Sequence, residues 1–392
     1  MGEEVNAQSY TREQRQRYRE KVRQNLDVFE KMLNTSSFEF DRPMTGLEIE
    51  LNLVDADMQP HFHNAQVLAA IADESYQTEL AQYNIELNVP PRPLPGDSAL
   101  ELEAELRESL NAADRAAGEV GSKIVAIGIL PTIMPEHYEG EWISRNNRYT
   151  ALNDSIFVAR GEDIYLDIEG PTGERVATYC DSIAPESACT SVQLHLQVAP
   201  SEFAAHWNAA QALSAPQVAL AANSPFFFGK RLHAETRIEL FKQATDTRPV
   251  ELKNQGVRAR VFFGERWITS IFDLFEENVR YFPTLLAETS DEDPMAALEA
   301  GIAPALSELR MGAMVNYLRP AMISIRGPRQ LHLADLMSYV KAQVNVAALY
   351  EQPEAWTRKA ILNVGSSGKF SSDRTIRGYA EKIWKAKPVP VE

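Results

Sequence analysis

The chain has 392 residues, 44% of them hydrophobic, which is enough to bury a large core in one big or two ordinary domains. Fifty-five acidic against 39 basic residues leave a net charge of −16, which argues against electrostatic attraction to nucleic acid or to anionic membrane surfaces. Cys180 and Cys189 are the only cysteines; they make neither a disulfide framework nor a four-ligand zinc site. With no apolar leader and no run of about 18 apolar residues, a cytoplasmic location without a membrane span is expected.

Residues 8–34 carry Tyr18, Val22, Leu26, Phe29 and Leu33 at helical spacing, predicting a long amphipathic helix. Residues 47–53, Leu-Glu-Ile-Glu-Leu-Asn-Leu, alternate without a break and predict a strand with Glu48, Glu50 and Asn52 on one face. A short helix over 64–74 precedes a second alternating strand, 84–89, which puts Asn84, Glu86 and Asn88 together. Pro90, Pro91, Pro93, Pro95 and Gly96 are expected to end that strand, and Asp97 or Ser98 to cap a helix reaching about Gly118. The apolar run 123–130, stopped by Pro131, predicts a buried strand, followed by a polar loop through Asn146, Asn147 and Arg148. Residues 163–169 and 174–179 predict a hairpin around Gly170 to Gly173. Residues 191–198 form a third alternating strand with Gln193, His195 and Gln197 on one face, and 201–221 a helix.

Residues 223–266 hold the densest cationic stretch, from which Arg237 is the first candidate for fixing a carboxylate or phosphate. Two helices are expected in 271–309, an aperiodic junction at 310–332, and helical segments from Leu333 onward around the loop at 365–370.

An isolated Glu-x-Glu on a strand reads most simply as acidic decoration. Three separate strands with apolar residues on one side and Glu, Asn, Gln or His on the other read differently: if they share a sheet, its polar face is an oxygen- and imidazole-lined cleft suited to Mg²⁺ and a polyphosphate. Other motifs fail. Gly365-Ser-Ser-Gly368-Lys369 has too few residues between its glycines for a phosphate loop. His233-Ala-Glu235 has no downstream C-x-x-C and is expected to be ordinary helix surface.

Residues 1 to about 309 resemble the glutamate–cysteine ligase family of the glutamine synthetase-like superfamily. The resemblance rests on Gly46-Leu-Glu-Ile-Glu-Leu-Asn-Leu-Val-Asp55, on Thr78-Glu79 ahead of Tyr83-Asn-Ile-Glu-Leu-Asn-Val-Pro-Pro91, and on Cys189-Thr-Ser-Val-Gln-Leu-His195. It implies an α+β fold, a curved antiparallel sheet with helices on its convex face, here shortened at its C-terminal end and followed by a helical appendage. It also implies ATP and Mg²⁺ as cofactors. The implied reaction phosphorylates the γ-carboxylate of glutamate and lets an amine, that of cysteine, displace the phosphate, as in glutathione biosynthesis. Carried over by the resemblance, Glu48, Glu50, Glu79 and Glu86 hold metal, His195 and Gln193 lie near the nucleotide, and Arg237 near the reacting groups. The implied partners are small molecules, glutamate and cysteine or another amine, with no nucleic acid and no membrane; a homo-oligomer is left open.

Two departures from the pattern stand out. Gln193 replaces what is often a metal-binding His in the family, and no strand bearing the family's later Glu and Arg is legible after Arg310. Residues 333–386 instead resemble the extreme C-terminus of glycogen and starch phosphorylases, on Ala360-Ile-Leu-Asn-Val-Gly-Ser-Ser-Gly-Lys-Phe-Ser-Ser-Asp-Arg-Thr-Ile376, Tyr379 and Ile383-Trp384. The core of that family lies upstream of its tail, so phosphorylase activity is not expected. The alternative to a working ligase is therefore a ligase-like protein that retains at most nucleotide and metal binding.

Overall fold

The structure, a computed structural model, describes residues 9–35, 43–94, 98–264, 266–282, 284–309 and most of 345–366, with isolated positions at 5, 7 and 38. The chain divides into two compact units, Met1–Ile325 and Arg326–Glu392. The first is a mixed α/β structure with small antiparallel sheets and many helices. In the second, the described residues form a helix over Pro353–Ser366. Among the described residues no helix is long and apolar enough to cross a membrane.

Helix α1 (Arg12–Thr35) buries Tyr18, Val22, Val28, Phe29 and Met32, the spacing that its sequence demands. The chain continues through β1 (Met44–Val54), α2 (Asn64–Ile71), β2 (Tyr76–Thr78), β3 (Asn84–Pro93), α3 (Ser98–Glu119) and β4 (Lys123–Val125). Next come α4 (Asn147–Arg160), the hairpin β5 (Ile164–Glu169) and β6 (Arg175–Cys180), α5 (Ala184–Ser187), β7 (Val192–Leu196) and α6 (Pro200–Ala221). A small hairpin, β8 (Phe226–Phe227) and β9 (Lys230–Arg231), leads into α7 (Arg237–Ala244), α8 (Val250–Asn254), α9 (Ile271–Tyr281) and α10 (Pro294–Glu299). Phe29 of α1 packs on Phe275 and Phe272 of α9, with ring centroids 5.0 and 6.5 Å apart.

The three alternating strands do share one sheet. β1 is its centre: β3 runs antiparallel on one side, putting Glu50 opposite Glu86, Glu48 opposite Asn88 and Asn52 opposite Asn84. The other side of β1 is divided between β7, which sets Gln193 opposite Glu48 and His195 opposite Gly46, and β4. β2 flanks β3, with Gln77 opposite Glu86. Because side chains alternate, Leu47, Ile49, Leu51 and Leu53 all point the other way and form one core with Ile85, Leu87, Val67 of α2 and Ala113 and Ala117 of α3. Covering that face with α2 and α3 leaves the Glu, Asn, Gln and His side chains together on the opposite one.

Several expectations need correction. Pro90, Pro91 and Pro93 do not end the second strand, which runs to Pro93. Past Leu87 the β2 register has stopped, so β3 continues as an edge where a missing N–H costs no ladder bond. The apolar run 123–130 is strand only to Val125; the carbonyls of Ile127 and Gly128 are taken by the side chain of Thr190 instead of a neighbouring strand. The loop around Asn147 opens α4, where the Asn146 side chain accepts the Arg148 N–H and Gly161, at φ 75°, ends the helix. Glu235 is not helix surface: it is 8% exposed and ion-paired. Gly365 and Ser366 belong to the Pro353–Ser366 helix rather than to a loop. The junction at 310–332 and the segments 333–344 and 367–386 lie outside the described residues.

Leu51, on the central strand of the sheet, is fully buried on its apolar face, so truncating it leaves a cavity. Leu51→Ala is expected to lower unfolding free energy by about 2–5 kcal/mol in urea denaturation; a loss of under about 0.5 kcal/mol would contradict this packing.

Candidate functional site

On the sheet's polar face, Glu50, Glu79 and Glu86 each offer one carboxylate oxygen, and the three atoms lie within 4.8 Å of one another. Glu50 and Glu86 arrive there as a cross-strand pair, and Glu79 follows directly on β2. Glu86 is 2% exposed. Burial above all, then the charges of Glu79 and Glu48, push its carboxyl up to about 7. One of its oxygens accepts the Asn88 side-chain amide at 2.8 Å.

Glu50 is held from β7. The Ser191 backbone N–H donates to one oxygen at 2.7 Å, the Ser191 hydroxyl to the other at 2.9 Å, and the Gln193 amide to that same second oxygen at 3.4 Å. Glu79 accepts the Leu80 N–H at 2.8 Å, and the Tyr149 hydroxyl of α4 donates to the Thr78 carbonyl just before it. Burial first, then the Glu79 charge, raise the Tyr149 phenol, so it remains a donor. Glu48 sits one step along β1 from Glu50, with its carboxylate 3.7 Å from Nε2 of the half-exposed His195.

Glu48, Glu50, Glu79, Glu86, Gln193 and His195 thus come to one face, with the tight triplet at Glu50, Glu79 and Glu86. Carboxylates crowded this closely repel, and oxygen-only donors at such spacing fit a hard divalent cation such as Mg²⁺. Gln193, expected near a nucleotide, uses its amide on Glu50.

Arg237 is placed differently from expectation. It is 1% exposed, and all three of its guanidinium nitrogens are engaged: two by Glu235 and one by the Thr190 carbonyl at 2.6 Å. Glu235 is itself held by the Ser224 hydroxyl at 2.7 Å. Gly128 leaves the room for this: a Cβ there would stand 2.7 Å from Cζ of Arg237. Thr190 in turn donates to the Gly128 carbonyl and accepts from Asn52, and its neighbour Ser191 grips Glu50. The guanidinium therefore acts as a strut that fixes the strand end carrying Ser191, in place of the substrate-contacting role expected of it. Other arginines of the 223–266 stretch are also committed to structural pairs, Arg248 with Asp246 and Arg258 with Glu277.

Both cysteines stay thiols. Burial raises Cys189 far above its ordinary range and lifts Cys180 to about 11. Sequence reasoning missed the parts played by Ser191, Tyr149 and Asn88. Ser191 carried a signal, since it shares the face of Gln193 and His195; Tyr149 lies on a helix remote in sequence and carried none.

Glu86 keeps its proton on folding, at a pKa of about 7 against 4.5 for an ordinary glutamate. Between those values the folded state binds more protons than the unfolded one, so stability of the metal-free protein falls as pH rises from about 4.5 to about 7. Urea denaturation across this window is expected to show that decline in wild type and to lose it in Glu86→Gln; an identical slope in both would refute a protonated buried Glu86. For the strut, Arg237→Met leaves Glu235 charged and buried and should cost about 3–5 kcal/mol. The double variant Arg237→Met/Glu235→Met should recover much of this, and additive losses in the double-mutant cycle would argue against the pairing.

Comparison with known proteins gives two matches along the chain. The model of glutamate-cysteine ligase family 2 matches residues 44–262, from the start of β1 to beyond α8. That of carbohydrate phosphorylases matches residues 291–386, so this similarity begins well before the 333 expected. The glycogen phosphorylase of Synechocystis sp. is 53% identical over 75 residues, 19% of this chain and 9% of that protein. The muscle form of glycogen phosphorylase from Oryctolagus cuniculus is 56% identical over 55 residues, 14% of this chain and 6% of that protein. The glycogen phosphorylase of Chlamydia trachomatis is 58% identical over 52 residues, 13% of this chain and 6% of that protein. The chain spans less than a tenth of the length of these relatives. The ligase-family match covers more than half of the chain and contains Glu48, Glu50, Glu79, Glu86, Gln193 and His195, and by it the chain belongs to glutamate-cysteine ligase family 2.

Proposed function

We propose that this protein is an ATP- and Mg²⁺-dependent carboxylate–amine ligase of the cytoplasm, joining the γ-carboxylate of glutamate to an amine, with cysteine the first choice of acceptor. The observation that carries the proposal is the convergence of Glu50, Glu79 and Glu86 within 4.8 Å, on a sheet face that also presents Glu48 and His195. In this reading that face is the concave one, with α2 and α3 on the convex side.

In the overall reaction a glutamate γ-carboxylate oxygen attacks the γ-phosphorus of ATP and ADP leaves; the amine nitrogen then attacks the acyl carbon and phosphate leaves. When bound, Mg²⁺ and ATP supply the phosphoryl group and the neutralisation of its charge. The chain's own residues supply position. Glu50, Glu79 and Glu86 are the residues that would hold the cation, Ser191 and Asn88 fix the orientation of two of these carboxylates, and Glu86 would have to be deprotonated to serve as a ligand. His195, half exposed beside Glu48, offers Nε2 toward a phosphate oxygen. No protein nucleophile is required, in keeping with two unreactive thiols.

A second reading, metal and nucleotide binding without turnover, is favoured by one observation. The Gln193 amide donates to Glu50 where many family members place a metal-binding His, and this weakens one metal ligand.

The test is ADP release dependent jointly on Mg²⁺, glutamate and an amine, with a panel of amines at fixed glutamate. Turnover with cysteine in wild type, abolished in Glu50→Ala, is expected. Ser191→Ala is expected to lose about 10–100-fold in Mn²⁺ affinity measured calorimetrically. ATP and Mn²⁺ binding without ADP release would select the second reading, and Mn²⁺ binding unaffected by Glu50→Ala would defeat both.

A further inference from the structure

The far edge of β7 is open. Among the described residues β7 pairs with β1 alone, and two bonds fix which of its residues face which way: Glu50 N–H to the Ser191 carbonyl and Gln197 N–H to the Met44 carbonyl, both 2.9 Å. In an antiparallel ladder every second residue bonds to the neighbouring strand. Ser191, Gln193, His195 and Gln197 therefore turn their backbone groups to β1, and Val192, Leu194 and Leu196 turn theirs outward. Leu194 and Leu196 are 59% and 50% exposed. Their side chains lie opposite Leu47 and Thr45 on the sheet's apolar face, outside the core that this face makes with α2 and α3.

Sheet edges are ordinarily protected by charge, Lys above all, by Pro or by a covering element. Among the described residues this edge has none of these. From Ser187 to Gly229 the sole Asp, Glu, Lys or Arg is Glu202, in a chain that is 24% charged. Helix α6, which begins four residues after Leu196, has no buried residue and exposes Leu213 and Leu220. On a chain of net charge −16, a stretch both exposed and uncharged is where a second copy meets least repulsion. It offers nothing to a charged partner, and a lipid phase would leave the outward N–H and C=O groups unsatisfied. An antiparallel edge, by contrast, is complementary to itself under a two-fold axis.

We propose that β7 pairs with β7 of a second copy, antiparallel about a two-fold axis at His195, so that two sheets become one. Leu194 then exchanges backbone bonds with the partner's Leu196, and Leu196 with the partner's Leu194, which uses the exposed outward groups and leaves out the buried Val192. His195 stands opposite the partner's His195 as a non-hydrogen-bonded pair, with Cα atoms about 4.5 Å apart. Both imidazoles lie on the polar face, so each copy places a histidine beside the one that sits 3.7 Å from Glu48. Each carboxylate-bearing face thereby gains a side chain from across the axis. The pairing does not depend on the ligase reading.

The experiment follows the full chain by sedimentation equilibrium across a wide range of concentration, in EDTA so that no cation bridges two acidic faces. A reversible monomer–dimer equilibrium is expected. Leu194→Lys and Leu196→Lys, both at exposed positions, should each raise the dimer Kd about tenfold or more, with a circular-dichroism spectrum like that of wild type. His195→Cys in a Cys180→Ser background should give a disulfide-linked dimer on mild oxidation, because a facing pair at that separation falls within disulfide geometry. Val158→Cys in the same background, 71% exposed on α4, should not. A strictly monomeric protein, dimers that form only without EDTA, an equal Kd in wild type and both Lys variants, or linkage at 195 no faster than at 158 would overturn the proposal. Dissociation by Leu213→Lys/Leu220→Lys with none by the β7 variants would move the contact to α6 and overturn it as well.

Discussion

Strict alternation along β1 is the constraint on which the rest of this structure depends. Once Leu47, Ile49, Leu51 and Leu53 are buried under α2 and α3, Glu48, Glu50 and Asn52 have one direction left. Antiparallel pairing with β3 then brings Glu86 directly across from Glu50. The hydrophobic effect on one face therefore sets up an electrostatic conflict on the other. The folded protein accommodates that conflict by raising the Glu86 carboxyl to about 7, and under the proposed function the same crowding is what a divalent cation would relieve.

Fixing the carboxylates is the work of a second layer that the sheet alone does not supply. Ser191 grips both oxygens of Glu50, and the backbone just before it is held by Arg237 through Thr190. That arginine is buried, and Glu235 and the small size of Gly128 make its burial tolerable. A buried ion pair of this kind adds little net stability compared with an apolar replacement but defines one geometry. Here the geometry it defines is that of the strand end facing the triplet.

Residues 291–386 are similar to carbohydrate phosphorylases, outside the stretch that matches the ligase family, and the described part of the final unit includes a helix, Pro353–Ser366, whose described side chains are mostly exposed.

The period of two in residues 47–53, 84–89 and 191–198 determined three strands and the polar side of each from sequence alone, because side-chain direction in a strand follows from covalent geometry. Glu48 with Glu50, and Gln193 with His195, were legible as sharing a face within a strand, and the β5–β6 hairpin was legible from its turn; that the three strands share one sheet, which sets Glu86 across from Glu50 and Gln193 across from Glu48, was decided by their pairing. Tertiary structure decided what depends on contacts between distant segments. It showed that Arg237 turns inward to Glu235 and Thr190 rather than toward the cleft, that Ile127 and Gly128 spend their carbonyls on Thr190 instead of a strand, and that prolines continue an edge. It also brought Tyr149 beside Glu79. No local pattern encodes these outcomes, since each depends on which partner burial leaves for a charge or a backbone group after the sheet and helices have packed.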